Sequence, residues 1–449
     1  MLDRSFKQDP YTLVMLTLDA HSVGSVERIK NRFSKIYPEL EIIVHAAASW
    51  EEDPNSLART KKDLARANMV LITLVFLEDH ISAILPDLKK ARENCDLMLG
   101  LVSSKEIVNL TKMGGLDMSK PSSGVLKFLK KLRGSKNKVT GGEKQMAILR
   151  QIPKVLKFIP GKAQDLRAYF LSMQYWLAGS EENIESLFCY LLSRYSSLQH
   201  SGKMEIKSPI EYPETGLYHP DLPRKITEKI SEVPRVKNSI GTVGLLLMRS
   251  YVLSGDTAHY DEVIRSLEAQ GLKVIPAFAA GLDARPAINK FFMSNAKASI
   301  DVFLSLTGFS LVGGPAYNSS KEAEEALAQL DVPYIAAHAI EFQNLNQWDK
   351  SDGGLNPIET TILVSLPELD GATNPTIFGG RLGEEGGCSC CQHLRTGQER
   401  VFDMVPCYER IKSLSEKSCR LVRLKRKENA EKKVGIILYG FPPNAGSIG

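Results

Sequence analysis

Cys388, Cys390, Cys391 and His393 crowd a short glycine-rich stretch, with Cys407 further along the chain. Thiolates and an imidazole are the donors that hold zinc or an iron–sulfur cluster. The spacing CxCCxH is nevertheless too tight for a zinc finger or a ferredoxin, whose paired ligands have two or more residues between them. The expectation is an exposed loop whose thiols are incidental, with a metal site on Cys388, Cys390, Cys391 and His393 as the weaker alternative.

Two further segments carry titratable groups. In SGDTAHYDEVIRSLEAQG, Asp256 or Thr257 stands at a helix N-cap, with His259 and Tyr260 in the first turn. A helix N-terminus attracts anions, and in open α/β sheets the strand ends face the ligand crevice. The simpler reading is a cap on a helix that packs through Val263, Ile264 and Leu267. In SLPELDGATNP, Glu368 and Asp370 occupy a turn, with His338 and Glu341 nearby in sequence. They offer oxygen ligands or a proton acceptor, although turns favour Asp and Gly for backbone reasons alone.

SLTGFSLVGGPAYNSSKEAEEAL follows a strand and precedes a helix with a capping pair, Ser319 and Glu322. It lacks both the dinucleotide spacing and the Gly-Lys-Ser/Thr ending of a phosphate cradle. No Walker-type loop occurs in the chain, so ATP hydrolysis is not expected of it. VLKFLKKLRGSKNK carries six positive charges from Lys127 to Lys138. A solvated helix face is the expected reading, and membrane-surface or partner contact, testable at Lys130 and Lys131, the alternative.

These groups must be positioned by an alternation of short apolar runs with amphipathic segments, the pattern of parallel sheets covered by helices. TLVMLTLD, EIIVHA, MVLITLVF and DLMLGLV read as strands, and Val26, Ile29, Phe33 and Ile36 mark a helix that Pro38 stops. The first α/β domain, with its basic loop region, is expected over 1–160. A helical connector and proline-rich crossing follow over 161–235. There Leu166, Tyr169, Phe170, Met173, Trp176 and Leu177 share one face, Gly179 closes that helix and Ser180 caps the next. TVGLLLMR, KVIPAF, IDVFLSL and VPYIAAH are the strands of a second α/β domain over 236–381. A Gly/Cys loop is expected over 382–400. A long helix and the strand KVGIILYG, the start of a truncated further α/β domain, are expected over 401–449. The fold class is thus α/β, with two doubly wound, flavodoxin- or Rossmann-like parallel sheets.

At 449 residues the chain exceeds one core's usual reach. Its 57 basic and 52 acidic residues are too evenly matched to point to nucleic acid. The longest apolar runs fall well short of the roughly 18 residues that cross a bilayer, and the polar start MLDRSFKQDP is no signal peptide. Seven dispersed cysteines fit a reducing compartment.

The run GTVGLLLMRSYVLSGDTAHYDEVIRSLEAQGLKVIPAFAAGLD resembles a block of the magnesium chelatase large-subunit family, and so do SLTGFSLVGGPA, LDVPYIAAHAIEFQ, SLPELDGATNP and LKRKENAEKKVGIILYGFPPNAGSIG, in that order. IPKVLKFIPGKAQDLRAYFLSMQYWLAGSEENIESL and the first α/β domain resemble the N-terminal region of the same subunit. The cobaltochelatase large subunit of cobalamin synthesis shares the later blocks. The stretch from Leu382 to Cys391 resembles the family least, and its cysteines inherit no role.

The resemblance implies a subunit that binds protoporphyrin IX. With an AAA+ ATPase subunit and a second smaller subunit, it would insert Mg2+ for chlorophyll or bacteriochlorophyll synthesis. No cofactor is covalently held, the porphyrin and Mg2+ are substrates, and the partner spends the ATP. A porphyrin-binding accessory protein is a further expected partner. The expected location is the cytoplasm or plastid stroma, peripheral to a photosynthetic membrane. Porphyrin or partner contacts are sought at Asp256, His259, Tyr260, Glu341, Glu368 and Asp370. No catalytic residue is assigned, because the family's catalytic groups look to lie beyond Gly449. The competing class is a non-catalytic tetrapyrrole- or partner-binding regulatory head.

Overall fold

The structure, a computed structural model, describes residues 10–18, 20–47, 49–52, 54–119, 152–198, 204–313, 319–383, 386–390 and 403–437. The basic segment 125–138, Cys391 and His393 lie outside them.

Four strands, β1 (Tyr11–Thr17), β2 (Leu40–Ala46), β3 (Met69–Thr73) and β4 (Leu97–Leu101), pair in parallel in the order β2-β1-β3-β4. Short antiparallel strands β5 (Lys112–Met113) and β6 (Leu116–Asp117) extend the β4 edge. The strands read as unbroken apolar runs because both faces are covered. Leu13, Met15, Leu71 and Leu99 pack with Val26, Ile29 and Phe33 of α1 (Ala20–Ile36). On the opposite face Val14, Leu16, Val70 and Met98 meet Leu64 of α2 (Pro54–Ala65) and Ile84 and Leu88 of α3 (Glu78–Asn94). Ile36, expected on the packing face, is exposed in the last turn of α1.

Helices α4 (Lys162–Ala178) and α5 (Glu181–Tyr195) join where the sequence indicates. Gly179 adopts φ +65°, a left-handed C-cap that suits glycine, and the Ser180 hydroxyl accepts from Asn183 N at 3.2 Å. They are not a free-standing connector, however. Ala168, Tyr169, Phe170, Leu187, Phe188 and Leu191 are buried in the same core as Leu13 and Met15, so this pair covers the first sheet. The sequence pattern shows that a helix has an apolar face but not which sheet receives it.

The second sheet has eight strands: β7 (Thr215–Tyr218), β8 (Ile226–Thr227), β9 (Gly241–Met248), β10 (Leu272–Ala279), β13 (Val302–Ser305), β14 (Tyr334–Asn344), β15 (Thr373–Arg381) and β16 (Met404–Pro406). Their order is β16-β15-β14-β13-β9-β10-β7-β8, with β11 (Met293–Ser294) and β12 (Lys297–Ala298) forming a separate hairpin. The five strands from β15 to β10 are parallel, and antiparallel strands close both edges. The expected proline-rich crossing therefore supplies the last two strands at one side of the sheet, β7 and the edge strand β8, with prolines flanking the ladder and not inside it.

The long helix, here Tyr408–Arg426, belongs to this second unit and not to a further domain. Its Ile411, Leu414 and Val422 pack with Val263, Ile264 and Leu267 of Ala258–Ala269 over Val243 and Leu245 of β9. Arg426 also pairs with Asp301 at 2.8 Å. The strand expected in KVGIILYG is absent from residues 434–437, where Val434, Ile436 and Ile437 are exposed and outside any ladder.

Candidate functional site

Among the parallel strands of each sheet, the first in the chain is an inner one with its successors laid down on opposite sides: β2 and β3 flank β1, and β10 and β13 flank β9. At such reversals the loops beyond the strand ends part and leave a crevice. The two units bring these ends together. Leu74 follows β3, Val102 follows β4, Met248 and Ala279 end β9 and β10, and Thr307 follows β13. All five line one cavity of about 500 Å³, a volume within the roughly 300–1,000 Å³ of small-molecule sites.

The rest of the lining is mostly apolar. Trp176, Leu177 and Ile184 come from the α4–α5 pair, and Leu253, Leu282, Phe309 and Leu311 from the second unit. Among the described lining residues Arg249 alone is charged, and no carboxylate or imidazole occurs. Arg249 is half-buried and donates through Nε to Pro213 O at 3.2 Å and through Nη2 to Tyr212 O at 3.3 Å, which fixes its guanidinium at the cavity margin.

Two walls of the cavity are backbone held in an unusual state. Leu74 has φ +59° and Val102 φ +44°. Left-handed backbone is rare for side chains other than Gly, Asn and Asp, and is strained for a β-branched one. Both positions sit at the carboxyl ends of adjacent strands of the first sheet.

The seam between the units is polar. Helix α6 (Arg249–Ser254) ends at Gly255, φ +75°, leaving the Ser254 carbonyl pointing out of the helix. Ser25 Oγ donates to that oxygen at 3.1 Å and Arg28 Nη2 at 2.6 Å. Arg28 also pairs with Glu181 at 2.5 Å, and Arg32 bonds Glu181 and Glu185. Burial alone would raise the Glu181 pKa, but the two guanidinium groups overcome it and hold the carboxylate below its ordinary value.

The residues singled out from sequence are buried behind this cavity or lie away from it. Tyr260 accepts from Met248 N at 3.3 Å and donates to Leu306 O at 3.4 Å, so its hydroxyl clips together the carboxyl ends of β9 and β13. Burial pushes its pKa far above the ordinary tyrosine value. His259 is fully buried, stacked on Phe378 at 5.7 Å between ring centroids and edge-on to Tyr251 at 5.1 Å. Tyr251 in turn donates to Glu341.

Thr257 and not Asp256 holds the N-cap position, and it makes no side-chain cap bond. Asp256 Oδ1 instead accepts from Met404 N at 3.0 Å, pinning edge strand β16. Asp370 Oδ2 accepts from Leu311 N at 2.8 Å and so supports a cavity wall, while Glu368 is exposed nearby. Ser319 and Glu322 do not form the expected capping pair, and Glu322 lies 3.2 Å from Arg285. His338 is buried on β14, and desolvation pushes its pKa down to about 4. Trp176, Arg249 and Leu253 were not singled out as site residues. Their signal was the reversal of strand order, which single-sequence periodicity does not reveal.

The chain is thus a pair of doubly wound, open-sheet α/β units with an apolar crevice at their strand ends. The chain belongs to the CobN/Magnesium Chelatase family, whose profile matches residues 173–449. A domain of unknown function (DUF3479) matches residues 12–170. The magnesium-chelatase H-subunit of Cereibacter sphaeroides is 54% identical over 443 residues, 98% of this chain and 37% of that protein. The chloroplastic magnesium-chelatase ChlH of Oryza sativa subsp. indica is 34% identical over 86% of this chain and 28% of its own length. The solved catalytic subunit of cobaltochelatase from Mycobacterium tuberculosis shares the fold, with a TM-score of 0.54 at 15% identity over 96% of this chain and 29% of that one. The chain thus spans little more than a third of the length of the Cereibacter sphaeroides relative and of a second one from Rhodobacter capsulatus. No described helix is long and apolar enough to cross a membrane.

Proposed function

We propose that this chain is the tetrapyrrole-receiving head of a magnesium chelatase large subunit and that the crevice between its two α/β units is where the macrocycle rests. The observation that carries the reading is the lining: a broad apolar enclosure with Arg249 as its charged residue. Protoporphyrin IX is a flat apolar ring with two anionic propionates. Burial of its faces against Trp176, Leu253 and Phe309 supplies affinity at roughly 25 cal/mol per Å² of apolar surface, and Arg249 pairs with a propionate at the margin.

The proposed share of this chain is binding and orientation. Removing two pyrrole protons needs a base, and Mg2+ sheds its waters reluctantly, so carboxylates are needed to hold the partly dehydrated ion on its way to the ring. The described lining offers neither a carboxylate nor an imidazole. An AAA+ ATPase subunit and a second small subunit complete the proposed reaction, with ATP spent on the partner. The proposed setting is the cytoplasm or plastid stroma beside a photosynthetic membrane.

Titration of the purified chain with deuteroporphyrin tests this through tryptophan emission. Saturable quenching is expected, largely lost in Trp176→Phe and weakened at least tenfold in Leu253→Asp. Quenching that both variants leave intact, or no binding at all, overturns the assignment to this crevice.

A further inference from the structure

The loop after β15 and the start of the long helix Tyr408–Arg426 meet at three sulfurs. Cys388 Sγ lies 3.2 Å from Cys390 Sγ and 3.6 Å from Cys407 Sγ, and Cys390 and Cys407 are 3.4 Å apart. These separations exceed a disulfide bond's about 2.05 Å. They approach the roughly 3.8 Å between sulfurs that share one tetrahedral zinc at about 2.3 Å each. The tight CxC spacing matters less than it did in sequence, because Cys407 closes the triangle from the other side of the β15–β16 ladder.

We propose that Cys388, Cys390 and Cys407 bind a zinc ion as thiolates, with the fourth tetrahedral position filled by water or another donor. Thiolate sulfur selects zinc and other soft ions over the hard cations that carboxylates hold. Cys388 and Cys407 are buried in a small apolar core with Ile340, Leu345 and Leu382, while Cys390 is exposed and leaves a path for the ion to enter. Cys407 is the N-cap residue of a 19-residue helix, whose positive end stabilises a thiolate there. The loop is also fixed independently: Ser389 N donates to Asp349 Oδ2 at 2.9 Å, which holds Cys390 beside its partners.

The ion would rivet the end of β15 to the strand and helix that follow, adding to the short β16 ladder and the Asp256–Met404 bond that hold this edge. Binding displaces a proton from each thiol that enters as a thiolate, so affinity falls as pH falls.

The test uses the chain purified without chelator under reducing conditions. About one zinc per chain is expected by elemental analysis, and cobalt substitution is expected to give near-ultraviolet thiolate charge-transfer bands with the visible bands of a tetrahedral ion. Cys407→Ser and Cys388→Ser should lose the metal. Cys390→Ser, altered only at an exposed position, should lose it or weaken it at least tenfold while keeping the wild-type circular dichroism spectrum. The proposal is overturned if reduced wild-type protein takes up neither metal, if zinc persists undiminished in Cys390→Ser and Cys407→Ser, or if differential alkylation finds two of the three joined as a disulfide under those conditions.

Discussion

The Arg28 guanidinium donates to the Ser254 carbonyl at 2.6 Å, and through this bond a helix of the first α/β unit caps the end of a helix in the second. The carbonyls of a helix's last turn lack intrahelical donors, and a cation there also meets the negative end of the helix dipole. Because Ser254 itself lines the crevice, the same contact sets the distance between its walls.

Arg28→Ala should therefore weaken the seam more than the fold of either unit. A hydrogen bond to a charged group contributes about 1.5–3 kcal/mol, and because Ser25 Oγ still donates to the Ser254 carbonyl the loss falls at the lower end of that range. The expected outcome is an earlier first step in thermal unfolding and faster amide exchange in 249–256, with β1 and β3 protected as before. Uniform destabilisation of both sheets would contradict this.

Val102 gives a sharper test, because its backbone is in the left-handed region. At an ordinary position glycine is less stable than alanine by roughly 0.5–1 kcal/mol. At Val102 the order should reverse, with Val102→Gly at least as stable as Val102→Ala in urea unfolding, since glycine alone occupies that backbone without strain. The usual order would mean that the strain is not real in solution.

The strands and most helices of both units were legible because buried parallel strands are continuous apolar runs and their helices keep a 3.6-residue period. Allegiance between elements was not. The α4–α5 pair covers the first sheet and the long C-terminal helix the second, choices made by tertiary packing of Tyr169, Phe170 and Ile411. The site residues followed the same division. Tyr260 and Asp370 were found through their chemistry, yet they buttress the crevice from behind, while the residues that line it are plain apolar side chains with no local signature.

His338 predicts an acid response. Its ring nitrogens have no hydrogen-bond partner among the described residues, and burial lowers its pKa from 6.5 to about 4. Between those values the unfolded chain binds a proton that the folded one excludes, so stability rises with pH across this window and is lost as pH falls through it. The full difference is on the order of 3 kcal/mol. His338→Leu should flatten the denaturation midpoint between pH 6.5 and 4 relative to wild type. An unchanged slope would mean that the imidazole is solvated or paired.

Asp256 separates an architectural role from a ligand contact. Its carboxylate accepts from Met404 N, the first residue of β16, at 3.0 Å from a nearly buried position. Asparagine keeps an acceptor oxygen at the same reach, and alanine removes it and orphans a buried N–H, which costs about 1–3 kcal/mol. Asp256→Ala should thus lower stability and speed exchange of the Met404 amide, whereas Asp256→Asn should retain most of both. Porphyrin quenching, which depends on a crevice that Asp256 does not line, should be unchanged in Asp256→Asn. If Asn abolishes quenching while stability stays at the wild-type level, the negative charge of Asp256 acts on the ligand, and its place behind β16 is not its main role.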